Sequence, residues 1–223
     1  MRLFPLLLAL PALLLACAPD ASPSEAPAEA EVPVFRGDLT SVDDGAETEG
    51  FASLRDSLRA VVARRDTAAL LALVAPDARL SFGDTPGGPD GFRALWFEGA
   101  PDEPIWDLLP RLLDGGSVEE DGAVIVPAIA TLWPESLDPF ANVAIPGDDV
   151  TAFDAPDGTP LATLSRTTLP TSGPAADGWR PVTLPDGRAA VVPEPAVLSP
   201  VGYRATFWDD GDGWHLRSFL AGD

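Results

Sequence analysis

The apolar residues of this chain keep two different periods, and the change between them limits the fold more than any single motif. Phe51, Leu54, Leu58, Val61 and Val62 recur every three or four positions, with Arg55, Asp56, Arg59, Arg64 and Arg65 on the other faces. That spacing predicts an amphipathic helix from about Gly50 to Arg65. Asp66 or Thr67 is placed to cap a second short helix, Ala68 to Val74. Pro76-Asp77 should break it, and Ala78-Arg79-Leu80-Ser81-Phe82 alternates as a strand. Asp90 can cap a helix reaching Trp96. Pro104 opens another, with Ile105, Leu108, Leu109, Leu112 and Leu113 on one face and Gly115-Gly116 as its stop. Pro110 should kink or split that helix. Ala123 to Ala130 reads as a buried strand.

From about Asn142 to Leu198 the texture becomes short strands and tight turns. Val150 to Phe153, Leu161 to Leu164, Trp179 to Leu184 and Ala189 to Val192 are strand-like, with Asp157-Gly158 and Asp186-Gly187 as turns. This favours a small barrel. Tyr203 to Trp208 and Trp214 to Leu220 then form a hairpin around an Asp- and Gly-rich turn. The expected fold class is α+β: helices packed on a curved antiparallel sheet, with a small all-β barrel.

Two stretches resemble known families. Val61 to Gly83, VVARRDTAALLALVAPDARLSFG, resembles the opening of the SnoaL-like, nuclear-transport-factor-like fold, and the ending DGWHLRSFLAGD resembles its last strands. The segments APDGTPLATLS, GWRPV and PDGR, in this order, resemble a bacterial SH3-type domain. That family usually has Gly-aromatic-Val after the hairpin; Ala190-Val191-Val192 stands here, so an aromatic that commonly contributes to its groove is missing. Together the resemblances imply a SnoaL-like part over 51–141, an SH3-type barrel over 142–198, and a hairpin over 199–223 that completes the first sheet. The alternative is two domains in series with the hairpin packed between them.

The amino terminus reads as an address. Arg2 precedes an apolar run that ends at Cys17, too short and too rich in proline for a membrane span. Leu14-Leu15-Ala16-Cys17 resembles the lipobox of bacterial lipoproteins, which implies cleavage of the 1–16 signal peptide and lipidation of Cys17. Ala18 follows, where related proteins retained at the inner membrane often carry Asp, so the resemblance implies the periplasmic face of the outer membrane. Cys17 is the only cysteine, so the fold has no disulfide to lean on. Residues 17–50 hold nine acidic residues against Arg36 and read as a disordered tether reaching about 30 Å, with Val32-Pro33-Val34-Phe35 as its apolar patch.

Charge removes whole classes of partner. The chain has 14 arginines, no lysine and 35 acidic residues; loss of residues 1–16 takes Arg2 and leaves 13 minus 35, or −22. Nucleic acid and anionic headgroups repel such a chain, so the lipid is its expected membrane contact and nucleic acid is not an expected partner.

Little in the sequence carries catalysis. His215 is the only histidine, no G-x-S-x-G accompanies it, and it is expected on the side of Arg217 and Phe219, opposite Trp214 and Leu216. Gly83, Gly87, Gly88 and Gly91 spell no phosphate-binding motif, and Asp209, Asp210 and Asp212 miss calcium-loop spacing. No metal and no cofactor is expected. The SnoaL-like resemblance implies a carboxylate or histidine inside a cone, which makes Asp77, Asp107 and His215 the catalytic candidates, with Tyr203 the only tyrosine. The SH3-type resemblance implies a groove for peptide, peptidoglycan or envelope-protein ligands, with Phe153, Trp179 and Trp208 as candidates. The leading reading is a non-enzymatic, lipid-anchored envelope protein with an interaction module. The alternative is a small-molecule binder or acid–base enzyme of the isomerase or dehydratase type.

Overall fold

The computed structural model describes residues 32–83 and 86–222. The signal peptide, the lipobox and Cys17 lie outside the described residues. The fold is α+β and rich in strand, with two open five-stranded sheets and a two-stranded ribbon.

Composition argues for a disordered tether up to Gly50, and the structure corrects this from Val32 onward. Strand β1 (Val34–Arg36) runs parallel to Thr163–Ser165 of a later strand. The pairing is prolonged by Thr163 N–H to the Pro33 carbonyl (2.9 Å), Gly37 N–H to Ser165 (2.9 Å) and Leu39 N–H to Arg166 (3.0 Å). A side chain at Gly37 would bring its Cβ to 2.5 Å from the Arg166 carbonyl oxygen, so only glycine permits this approach. A main-chain ladder that composition does not encode thus outweighs the acidic, proline-rich bias. Beyond it, residues 38–50 form a strap over the body of the protein.

Helix α1 (Phe51–Arg64) starts after Gly50 in the left-handed region (φ 78°) and buries Phe51, Leu54, Leu58, Val61 and Val62. Arg65, at φ 51°, turns the chain into α2 (Thr67–Ala72), whose cap is Asp66: its carboxylate accepts from Ala69 N–H at 3.0 Å. Strand β2 (Val74–Arg79) begins earlier than the sequence suggests and runs through Pro76-Asp77. It is an edge strand, where proline's missing N–H costs no ladder bond. Helix α3 (Gly88–Arg93) passes into a wider turn, Ala94–Glu98. Helix α4 (Ile105–Asp114) is one continuous helix despite Pro110, held by the burial of Ile105, Leu108, Leu109, Leu112 and Leu113.

Strands β3 (Val118–Glu120) and β4 (Ala123–Val126) join β2 in the first sheet. The chain then departs and returns only with β11 (Arg204–Asp209) and β12 (Trp214–Leu220), giving the order β2-β12-β11-β4-β3. The sheet is mixed, not antiparallel throughout, because β2 pairs with β12 in parallel. A register shift leaves Arg217 as an extra residue, between the pairs Phe207–Leu216 and Thr206–Ser218. The shift reverses the alternation: Leu216 and Phe219 are both buried, which corrects the placing of Phe219 beside His215 and Arg217. Phe51, Phe92, Trp96, Phe207 and Phe219 fill the space between this sheet and the helices.

Between β4 and β11 lie β5 (Asn142–Ile145), β6 (Val150–Phe153), β7 (Pro160–Ser165), β8 (Thr167–Pro170), β9 (Trp179–Thr183) and β10 (Ala189–Pro193). The second sheet has the order β1-β7-β6-β10-β9, and β5 pairs with β8 apart from it. Arg166, at φ 45°, turns the chain between β7 and β8 and sends β8 out of the sheet. The expected closure into a barrel is therefore not made by strand pairing: just past the end of β8, Thr171 forms an isolated bridge to Val182 of β9. Val143, Ile145, Leu164, Leu169, Val182 and Val192 form a separate core here.

Candidate functional site

The second sheet buries one face and leaves an aromatic patch on the other. Ala152, Val182, Ala190 and Val192 point into its core. Alternation puts Phe153, Pro181, Val191 and Trp179 on the opposite face, all half-buried, with Val191 paired to Phe153 on one side and to Pro181 on the other. The Phe153 and Trp179 rings meet edge to face, with centroids 5.5 Å apart and planes at 87°. This geometry lets one ring support the other while both keep surface for a ligand. Val191 occupies the middle of the patch, between Phe153 and Pro181.

Trp208 is not part of this patch. It lies on β11 of the other sheet, 43% exposed and opposite His215 across the hairpin. His215 Nδ1 lies 3.0 Å from the Gly213 carbonyl oxygen and 3.7 Å from Asp210. Asp209 and Asp210 accept from Gly211 and Asp212 N–H, so these aspartates shape the hairpin turn. Asp77 is exposed and pairs with Arg217. Asp107 is exposed, 3.8 Å from Arg65. Asp77 and Asp107 thus make exposed ion pairs, while His215 is half-buried beside its own hairpin turn. Tyr203 stacks on Phe219 at 5.2 Å, and burial, with Asp102 nearby, pushes its hydroxyl above the usual range.

Two charged clusters had no signal in the sequence. In the first, Arg111 on α4 is largely buried and donates to the carbonyls of Glu194 (3.2 Å) and Val197 (2.9 Å) and to the carboxylate of Glu103. Its Nε is buried without a partner among the described residues. Glu194 also accepts both Arg180 Nε (2.9 Å) and Nη2 (2.6 Å). Burial pushes the Glu103 carboxyl up, and the Glu194 and Asp107 carboxylates add to it against the opposing pull of Arg111. In the second cluster, Asp43 on the strap accepts from Arg55 (2.6 and 2.8 Å) and from Ser117 Oγ (2.6 Å), which itself accepts from Gly45 N–H at 2.9 Å. Burial raises the Asp43 carboxyl, but the Ser117 and Arg55 hydrogen bonds and the Arg55 and Arg59 charges outweigh it, so it lies below its ordinary value. Both clusters join residues far apart in the chain, which is why spacing does not reveal them.

Among the described residues no group of three or more His, Cys, Asp or Glu side chains is placed to hold a metal ion, and no helix is long and apolar enough to cross a membrane. No family model, no curated protein and no solved structure matches the chain.

Proposed function

We propose that this protein is a lipid-anchored component of the bacterial cell envelope, held at the periplasmic face of the outer membrane through Cys17, and that it binds a peptide, peptidoglycan or envelope-protein ligand. The anchor rests on the lipobox-like Leu14-Leu15-Ala16-Cys17. The binding role rests on one observation above the others, the half-buried Phe153–Trp179 pair on the open face of the second sheet. Amphipathic rings held rigidly at a surface give contact area at small entropic cost, the property that binding sites select. The SH3-type likeness of residues 142–198 points to the same use. The alternative of an acid–base enzyme gains nothing from Asp77 and Asp107, which are solvent-facing ion-pair partners.

Pull-down of the full chain with isolated peptidoglycan and with envelope extracts tests the binding role. Phe153→Ala and Trp179→Ala should each weaken capture while Trp208→Ala leaves it intact; capture that survives both would remove the patch as the site. Cys17→Ser should abolish labelling by a palmitate analogue and leave a larger, unprocessed precursor. Labelling that persists in Cys17→Ser would overturn the anchor.

A further inference from the structure

Two clefts open beside the Asp114-Gly115 end of α4. The larger, about 550 Å³, lies between strap residues 38–42 and a loop that contributes Ala128, Ile129, Leu132 and Leu137. The second, about 500 Å³, lies between α4 and the strand-rich segment, with Pro110, Val150, Pro195 and Leu198 in its walls. Asp114, Gly115 and Pro146 line both, so the two clefts adjoin and make a two-part trough at the end of α4.

The charges along this trough are Asp38, Glu103, Asp107 and Asp114 against Arg111. Both terminal nitrogens of Arg111 are already committed, to the Glu194 and Val197 carbonyls and to Glu103. Asp114 and Asp107 have arginine neighbours, Arg59 at 2.8 Å and Arg65 at 3.8 Å, but these pairs sit in solvent and are weak. Among the described residues the trough is therefore lined by four carboxylates and apolar side chains, with Arg111, whose terminal nitrogens are engaged, as its one cation. One wall has a further property. The strap has no regular secondary structure there, and the amides of Thr40, Ser41 and Val42 donate to no partner among the described residues. Exposed main chain with unpaired amides can take up the backbone of another chain.

We infer that the trough is a docking groove for an extended segment of a partner protein in which arginine or lysine side chains alternate with apolar ones. The apolar side chains rest on the floor formed by Ile129, Leu137, Pro146 and Leu198, the cationic ones meet the rim carboxylates, and the segment's main chain pairs with the strap. This site is separate from the Phe153–Trp179 patch, and either can fail without the other.

The test uses the full-length protein and two synthetic nonapeptides, one alternating arginine with valine, the other glutamate with valine, with spermidine as a cation that has no apolar part. The basic peptide should bind saturably and lose affinity as salt rises; the acidic peptide should not bind. Asp38→Asn combined with Asp107→Asn, at two exposed positions, should weaken binding about tenfold through lost charge complementarity. Ser41→Pro, which removes one strap amide, should weaken it in a protein with an unchanged melting temperature. No saturable binding, equal binding of both peptides, or full displacement by spermidine at equal charge would overturn the groove. Binding lost in Phe153→Ala yet unchanged in the double variant would overturn it too, and would leave the aromatic patch standing as the binding site.

Discussion

Arg111 donates to the main-chain carbonyl of Val197 at 2.9 Å across 86 positions of sequence, and so fastens helix α4 to the strand-rich segment. Its fork also reaches the Glu103 carboxylate, and one of its terminal nitrogens lies 3.9 Å from Glu194, which Arg180 holds from the other side. Arg111→Met should destabilise the protein by about 3 kcal/mol, because it leaves carboxylates and carbonyls without their largely buried partner. Arg111→Lys should recover only part of this, since an ammonium does not reproduce the planar fork. Urea denaturation of the three proteins checks both statements.

The latch at Asp43 titrates in the usual acidic sense. Its carboxyl lies below its ordinary value of 3.8 in the folded protein, so its stabilisation is present above pH 3.8 and is lost as pH falls through the lower folded value. Asp43→Asn should cost about 1–2 kcal/mol at pH 7, with the partial exposure of Asp43 keeping it at that level. Wild type and variant should converge in stability at strongly acidic pH. Melting temperature measured across pH 2–7 reads the difference.

Glu103 should behave in the opposite sense. Its carboxyl lies above the ordinary value of 4.5, so folding disfavours the charged form and the penalty grows as pH rises from 4.5 through the folded value. Glu103→Gln is therefore expected to be neutral or mildly stabilising at pH 7, and its advantage should vanish below pH 4. The same melting series, run on this variant, would contradict the assignment if Glu103→Gln were destabilised at pH 7 as strongly as Asp43→Asn.

Docking of β1 depends on Gly37. Gly37→Ala places a methyl 2.5 Å from the Arg166 carbonyl oxygen and 2.7 Å from Thr167 Cα, main-chain atoms that cannot turn aside. Overpacking of this kind costs about 1–3 kcal/mol, so amide exchange at Phe35 to Leu39 should accelerate by roughly tenfold to a hundredfold. Exchange in α1 should stay unchanged, because the strap makes its own contacts at Asp43 and Gly45.

Local period carried the helices better than the strands: the strand expected at Ala78 to Phe82 lies at Val74–Arg79, and the one expected from Ala123 to Ala130 ends at Val126, before a 3-10 turn. The buried set of α1 is Phe51, Leu54, Leu58, Val61 and Val62, the same residues that spacing places on one face. Periodicity failed where one residue was inserted: Arg217 has no signature of a bulge, yet it decides that Phe219 enters the core. Pro76 and Pro110 break no element, since one sits on a sheet edge and the other in a helix pinned by five buried side chains. Of the three aromatic candidates, Phe153 and Trp179 come together because they flank β10 on one face, while Trp208 belongs to the other sheet.

By itself the sequence determined the α+β class, the lone cysteine with the apolar run before it, and the acidic surplus, because composition and near-neighbour spacing survive any arrangement of the chain. Tertiary structure alone decided that residues 32–50 dock as a strand and strap, that the strand-rich segment remains open in its pairing, and that Arg111 and Asp43 each gather distant partners. These outcomes rest on hydrogen bonds and close approaches between residues far apart in the chain, whose free energy exists only once both ends are in place.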